Sequence, residues 1–350
     1  MTRVLTCKVG FEVELVAPPG ASRADLAASV ARRIGGEVRR YFHQQAEPSK
    51  APDVPIFESL TLGFRVSEGD RNVASFVDDL TLQRDLDREA SPADGWYRIV
   101  ADDARILRLV CQHCDPAAPL ETVLNPLAAL FATTPQTNAG MVRVRDDEDR
   151  SVAIAAPLPG ERERPCEIVT APIERDHAKV LEELLTDARA LGFAAPIEGA
   201  THLHFDATAL QSASTVATLV DVLWRHGDAL KAMFGANPNC VRLGSWPEAL
   251  PQLTKSQQFR ALRWPDAQAA LRKVGLSKFC DYNLLNVALG TQTKHTFEVR
   301  ILPTHLTAAP IIEAAALFEA LLGACAGPQA RQLAECDSLS DLLAALRATS

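Results

Sequence analysis

Gly10-Phe11-Glu12-Val13-Glu14-Leu15 is the stretch on which the reading of the whole chain turns. Phe11, Val13 and Leu15 alternate with Glu12 and Glu14, the period of a strand with one face in a core. Such a strand carries both carboxylates on its other face, about 7 Å apart. Two like charges at that separation repel, so the arrangement makes sense where a cation sits between or beside them. The alternative for this stretch alone is an exposed strand whose Glu pair faces water.

The alternation returns with complementary chemistry. Thr201-His202-Leu203-His204-Phe205-Asp206 places two imidazoles on one face, and Asp206 continues that face. Thr296-Phe297-Glu298-Val299-Arg300-Ile301-Leu302 does the same with a carboxylate and a guanidinium. Cys166-Glu167-Ile168-Val169-Thr170 adds one Glu leading a β-branched run, closed by Pro172. A sheet face lined by Glu12, Glu14, Glu167, His202, His204, Glu298 and Arg300 reads as a basin for divalent cations and phosphate. The plainer alternatives are a Glu298–Arg300 ion pair across strands and histidines at the edge of the core.

At 350 residues the chain can bury a large core in one to three domains. Its 47% apolar fraction is ordinary for a soluble globular protein. A net charge of −8 argues against a nucleic-acid partner. The chain begins in a strand, with no basic region and apolar segment before it, so no secretory signal and a cytoplasmic location are expected. The eight cysteines are then expected to be reduced and mostly buried. Cys111-Gln112-His113-Cys114 has the spacing of half a zinc site, but no second Cys-x-x-Cys supplies the other ligands. Ala308 to Gly327 is apolar yet interrupted by Pro310, Glu313 and Glu319, and reads as a buried helix rather than a membrane span.

Periodicity predicts the elements between these strands. Ser22 caps a helix whose apolar positions are Leu26, Val30, Ile34, Val38 and Phe42, with Gly35-Gly36 weakening its middle. Residues 44–55 read as a loop. Residues 51–140 form a β-rich section of obscure role, in which Trp96 to Val100 and Arg105 to Val110 read as a hairpin around Asp102-Asp103. Val142 to Arg145 and Ser151 to Ile154 flank an acidic turn. Helices are expected from Asp176 to Leu191, and from Ser214 to Phe234 with Trp224 and Met233 in the core. A short helix from Pro265, one from Pro310 to Ala326 and one from Leu339 to Ala348 complete the set. His43, His113, His177, His226 and His295 read as surface residues. Without regular βαβ spacing, the mixture favours α+β with an antiparallel sheet.

Five motifs in order resemble a known family. Gly-Phe-Glu-Val-Glu at 10–14, Glu-Ile-Val-Thr-Ala-Pro at 167–172, His-Leu-His at 202–204, Tyr-Asn-Leu-Leu-Asn at 282–286 and Thr-Phe-Glu-Val-Arg at 296–300 are similar to those of the amidoligases. That family belongs to the carboxylate–amine ligase superfamily of glutamine synthetase and glutamate–cysteine ligase. The resemblance covers about residues 8 to 325. It implies a single glutamine synthetase-like catalytic domain, a curved antiparallel sheet with helices on its outer face. It also implies an ATP-dependent ligase that forms an amide or peptide bond through an acyl phosphate with Mg2+ or Mn2+. Glu12, Glu14, Glu167, His202 and Glu298 would then be metal ligands or contacts, and Arg300 would hold the transferring phosphoryl group. Asp149, with Ser151, resembles the family's Asp-x-Ser turn, and Arg242 a basic residue after the long helix. Tyr282, Asn286 and His204 fall to substrate contact or support of the ligands, with packing the alternative for Tyr282 and a turn cap for Asn286. Leu302-Pro303-Thr304-His305 departs from the family's Gly-Ser/Thr continuation, which leaves substrate identity open.

This chemistry suits those residue types. A carboxylate reacts with an amine only once its oxygen has become a good leaving group, as phosphoryl transfer makes it. The charge that develops on phosphate oxygens is met by positioning and electrostatics. Hard divalent cations take carboxylate oxygens, an imidazole is tolerated best by manganese, and arginine offers a planar fork for oxyanions. The implied partners are a small-molecule or peptide acid and an amine, with the apolar carboxy-terminal helices available for a homo-oligomer. Two other readings of the basin are a metal-dependent hydrolase and a nucleotide-binding protein without turnover.

Overall fold

The computed structural model describes residues 4–48, 56–240, 242–291 and 294–348. In chain order the first elements are β1 (Val9–Val16), α1 (Arg23–Ile34), β2 (Glu37–Pro48), β3 (Ile56–Glu68), β4 (Arg71–Val77) and β5 (Tyr97–Ala101). Then come α2 (Ala104–His113), α3 (Asn125–Leu130), β6 (Gln136–Asn138), β7 (Met141–Arg145), β8 (Ser151–Pro157) and β9 (Pro165–Thr170). α4 (His177–Ala190), β10 (Ala200–Asp206), α5 (Ala213–Phe234), α6 (Ala249–Lys255), α7 (Gln257–Arg260) and α8 (Trp264–Leu271) follow. The chain ends with β11 (Tyr282–Asn283), α9 (Leu285–Leu289), β12 (Thr296–Pro303), α10 (Ala308–Ala326), α11 (Ala330–Ala334) and α12 (Leu339–Ala348). Two compact units emerge: Met1–Val13 with Pro172–Thr186 and Glu198–Ser350, and Glu14–Ala171 with Asp187–Ile197. Within each unit the strands pair antiparallel, and the class is α+β as expected.

In the first unit the strand order is β11-β12-β10-β1. Register puts Phe11 opposite Leu203, Leu203 opposite Val299, and Phe205 opposite Phe297, so these side chains share one face. All of them are fully buried, with α5 against β12 and α10 against β10. Each such side chain is worth about 1.5–3 kcal/mol in burial, which is what holds the register. The opposite face is left to Glu12, His202, His204 and Glu298. α10 is long and apolar enough to cross a membrane, but most of it is buried inside the unit, as the sequence suggests. Trp224 and Met233 depart from expectation: they lie on the outer side of α5, 39% and 42% exposed. The short helices α6 and α7 precede α8, and Pro265 sits in the first turn of α8, the short helix expected there.

The second unit orders its strands β9-β4-β3-β5-β8-β7-β6, with β2 also on β3. Its core packs Phe42, Leu60, Leu62 and Ile99 against Leu107 and Val110 of α2 and Leu127 of α3. Two sequence expectations fail here. The helix starting after Ser22 does not reach Phe42. It stops at Ile34, because Gly35 takes a left-handed conformation (φ 66°) and the Gly36 N–H turns back to the Ala31 carbonyl. Val38 and Phe42 then belong to β2, whose pairing with β3 runs from Glu37↔Ser67 to Pro48↔Ile56. The predicted loop is thus strand up to Pro48, and residues 49–55 lie outside the described residues. The second failure is the hairpin: Arg105 to Val110 form α2, because the Asp103 carboxylate accepts the Arg105 N–H at 2.7 Å and caps a helix. The β7–β8 hairpin around the acidic turn forms as read.

Candidate active site

Four strands bring the polar face together, β1, β10, β12 and β11. Glu12 stands opposite His202, and His204 stands opposite Glu298. Asn283 pairs with Glu298 from the other side. Between Thr201 and Leu203 the β10–β12 register slips, so Arg300 and Ile301 together face His202. Such a bulge kinks the ladder and re-aims a side chain. It lets Arg300 lie on the polar side while Leu302 returns to the apolar one.

The contacts are short and buried. Glu12 Oε1 lies 2.9 Å from His204 Nε2, and Glu12 Oε2 lies 3.2 Å from His202 Nδ1. Glu298 Oε1 is 3.7 Å and 3.8 Å from those same two nitrogens. Arg300 Nη1 donates to Glu298 Oε1 at 2.6 Å, and Asn283 Nδ2 donates to Glu298 Oε2 at 2.7 Å. Lys294 Nζ reaches Glu12 Oε1 at 3.3 Å. Ligand atoms of Glu12, His204 and Glu298 all lie within 4.8 Å of one another.

Electrostatics keep the carboxylates charged. Burial pushes the Glu298 carboxyl up, but His204 and Arg300 outweigh it and hold the group down to about 2. Burial likewise opposes the charge on Glu12, and His204 and Lys294 overcome it, well below the ordinary range. His202 is held below its usual value by burial and by Arg300, against the pull of Glu12. A neutral imidazole between ionised carboxylates is a ligand-ready state.

The other residues read from sequence have settings of their own. Tyr282 pairs with Val299, so its ring belongs to the apolar face, where it packs on Trp246 and Phe318 and its hydroxyl donates to the Gly227 carbonyl. Asn286 sits in α9, its carbonyl accepting the Gly290 N–H. Arg242 stands over the Phe279 ring at 5.7 Å, with the Lys278 ammonium over the same ring at 5.2 Å. Burial first, and then the charges of Arg242 and Arg300, hold Lys278 below the ordinary lysine value. Glu14, Glu167 and Asp149 belong to the second unit: Glu14 is buried in β1, Glu167 pairs with Val77 in β9, and exposed Asp149 pairs with Arg145 in its turn.

Some expectations and omissions concern single residues. Asp206 is exposed and accepts the Thr208 N–H at 2.8 Å, a turn cap. His177 and His226 are buried, not surface, each donating to a carbonyl: Cys7 at 3.0 Å and Cys336 at 3.1 Å. All eight cysteines are free and five are buried; Cys111 is exposed. Asn283, Lys278 and Lys294 were not singled out from sequence. For Asn283 the signal lay in the alternation of Tyr282 with its neighbour; for the lysines there was none.

A family model described as "putative amidoligase enzyme" matches residues 5–322. The chain belongs to that amidoligase family. No curated protein and no solved structure matches it. Family description therefore places this amidoligase among amide-forming ligases, and the five motifs fall inside the matched range.

Proposed function

We propose that this amidoligase is an ATP-dependent carbon–nitrogen ligase, joining a small-molecule or peptide carboxylate to an amine through an acyl phosphate on a glutamine synthetase-like fold. The observation that carries the reading is the buried set Glu12, His204 and Glu298, its ligand atoms within 4.8 Å and Arg300 hydrogen-bonded to it. Two ionised carboxylates and an imidazole fit Mn2+ or Mg2+, the imidazole favouring manganese. Such a cation, when bound with ATP, neutralises phosphate charge. Around it the chain's own groups have separable tasks. His202, hydrogen-bonded to Glu12, orients that carboxylate, and Asn283 fixes the rotamer of Glu298. Arg300, held along the strand by Glu298, presents positive charge to an oxyanion. Arg242 and Lys278 add charge for phosphate or for the acid substrate. The proposed set is confined to the first unit; Glu14 and Glu167 are carried by the second.

Purified protein given ATP, Mn2+, and panels of acids and amines should release ADP and phosphate only when both substrates are present. Arg300→Lys and Glu298→Gln should each lower that turnover by about a hundredfold or more. Turnover that is undiminished in Glu12→Ala, or cleavage of an amide without nucleotide, would refute the ligase reading.

A further inference from the structure

Between β4 and β5 the second unit carries residues 78–96 without a strand or helix. A connection of that length is uncommon in a compact fold, and an ordered one is usually functional. This one is tied down along its course. Buried Arg162 pairs with Asp78 and donates to the Asp79 and Leu82 carbonyls. Arg164 pairs with Glu161 and donates to the Asp85 carbonyl at 3.1 Å. Glu161 in turn accepts the Asp87 N–H at 2.9 Å. Backbone bonds from Gly160 to Ala90 (3.0 Å) and from Leu158 to Trp96 (3.1 Å) finish the attachment. At Gly160 (φ 80°) a Cβ would come within 3.4 Å of the Arg88 backbone, so the two segments touch there.

The clamped loop, Arg98 and residues 158–162 line an open cavity of about 390 Å³. Leu80 and Leu158, both buried, and half-buried Leu86 give it an apolar lining. Arg88, Arg98 and Arg162 line it as well, and none of the residues lining it is acidic. The three guanidiniums differ. Arg162 is neutralised by Asp78, whereas Arg88 makes no ion pair among the described residues. Arg98 is half-buried, its guanidinium 6.0 Å from the Phe57 ring centroid. Planar cationic forks above apolar walls, in a space set by bonds already made, match an oxyanion carried on a short hydrocarbon stem.

We propose that this cavity is a second ligand site, distinct from the Glu12–Glu298 cluster, for a small molecule ending in a carboxylate or phosphate. Arg88 and Arg98 hold the oxyanion, Arg162 stiffens the wall, and the leucines take the stem. The test is a ligand-observed NMR titration of the full chain with pentanoate and with butyl phosphate at constant ionic strength. Saturable binding of either is expected, the tighter one naming the head group. Arg88→Ala and Arg98→Gln should each weaken it about tenfold or more, and Arg88→Lys less than Arg88→Ala. Because Arg88 is exposed, its variants should melt with the wild type, and Arg300→Gln should leave the titration unchanged. Failure of both probes to saturate, identical binding by Arg88→Ala, or loss of binding in Arg300→Gln would each overturn the proposal. None of these outcomes depends on whether the chain has ligase turnover.

Discussion

Glu298 has its two oxygens served by different partners, Arg300 on one and Asn283 on the other. Taking Asn283 away leaves a buried anion short of a donor, so Asn283→Ala should cost about 1–3 kcal/mol in urea denaturation. Asn283→Asp should cost more, since it sets a second carboxylate beside the first. The ionisation of Glu298 carries a pH signature. Its folded value of about 2 lies below the ordinary carboxylate value, so the charged form favours the folded state. That contribution is complete above the ordinary value and disappears as pH falls towards 2. The stability advantage of wild type over Glu298→Gln should therefore shrink between about pH 6 and about pH 3. An advantage that stays constant across that range would show that the group is not held down. The acids and imidazoles here were legible because a strand exposes alternate residues, so each could be assigned a face from its own segment. Asn283 and Lys294 were not, because their partners lie on other strands and nothing local ties them to Glu298 or Glu12.

Element boundaries show where periodicity stops being informative. Leu26, Val30, Ile34, Val38 and Phe42 fit one helical stripe, yet the last two are strand residues. Spacing by four leaves the same parity as spacing by two, so an apolar set of this kind satisfies both helix and strand until a terminator decides. Gly35 and Gly36 decide it. A Cβ on Gly36 would fall 2.3 Å from the Ser67 carbonyl oxygen, so Gly36→Ala must push the start of β2 away from β3. The expected loss is about 1–3 kcal/mol by thermal denaturation, with the β2–β3 amides losing hydrogen-exchange protection first. Gly20→Ala, at a positive φ (81°) with nothing within 4 Å, measures backbone strain alone for comparison, since Gly36 is not at a positive φ and its cost is steric. α2 was misread for a related reason: Arg105-Ile106-Leu107-Arg108-Leu109-Val110 alternates well enough to pass for a strand. The deciding feature is the Asp103 cap, a single carboxylate on a single N–H. Helices α4, α5, α10 and α12 were legible because each offers several turns of buried spacing and, for α5, a Gly235 stop.

At the scale of the molecule, the chain changes unit after Val13, Ala171, Thr186 and Ile197, so neither unit is one continuous piece. Sequence composition carries no trace of this, because no linker marks the crossings: the first falls inside β1 and the third inside α4. Truncation should expose it. Residues 172–350 expressed alone lack the strand that pairs Glu12 with His202 and Phe11 with Leu203, and leave β10 with an open edge. That fragment should show poorly dispersed NMR spectra and aggregate, whereas co-expression with residues 1–171 should recover folded material. A well-dispersed, monomeric 172–350 fragment would mean that β1 is dispensable.

The late position of β12 has a consequence for biosynthesis. It occupies an interior lane of its sheet, between β11 and β10, although it is the last strand in the chain. While a ribosome is still delivering the first 290 or so residues, the imidazoles of β10 have emerged but Glu298 and Arg300 have not been made. The Glu12–His204–Glu298 cluster on which the proposed function rests is therefore incomplete in a nascent polypeptide until the final sixth of translation.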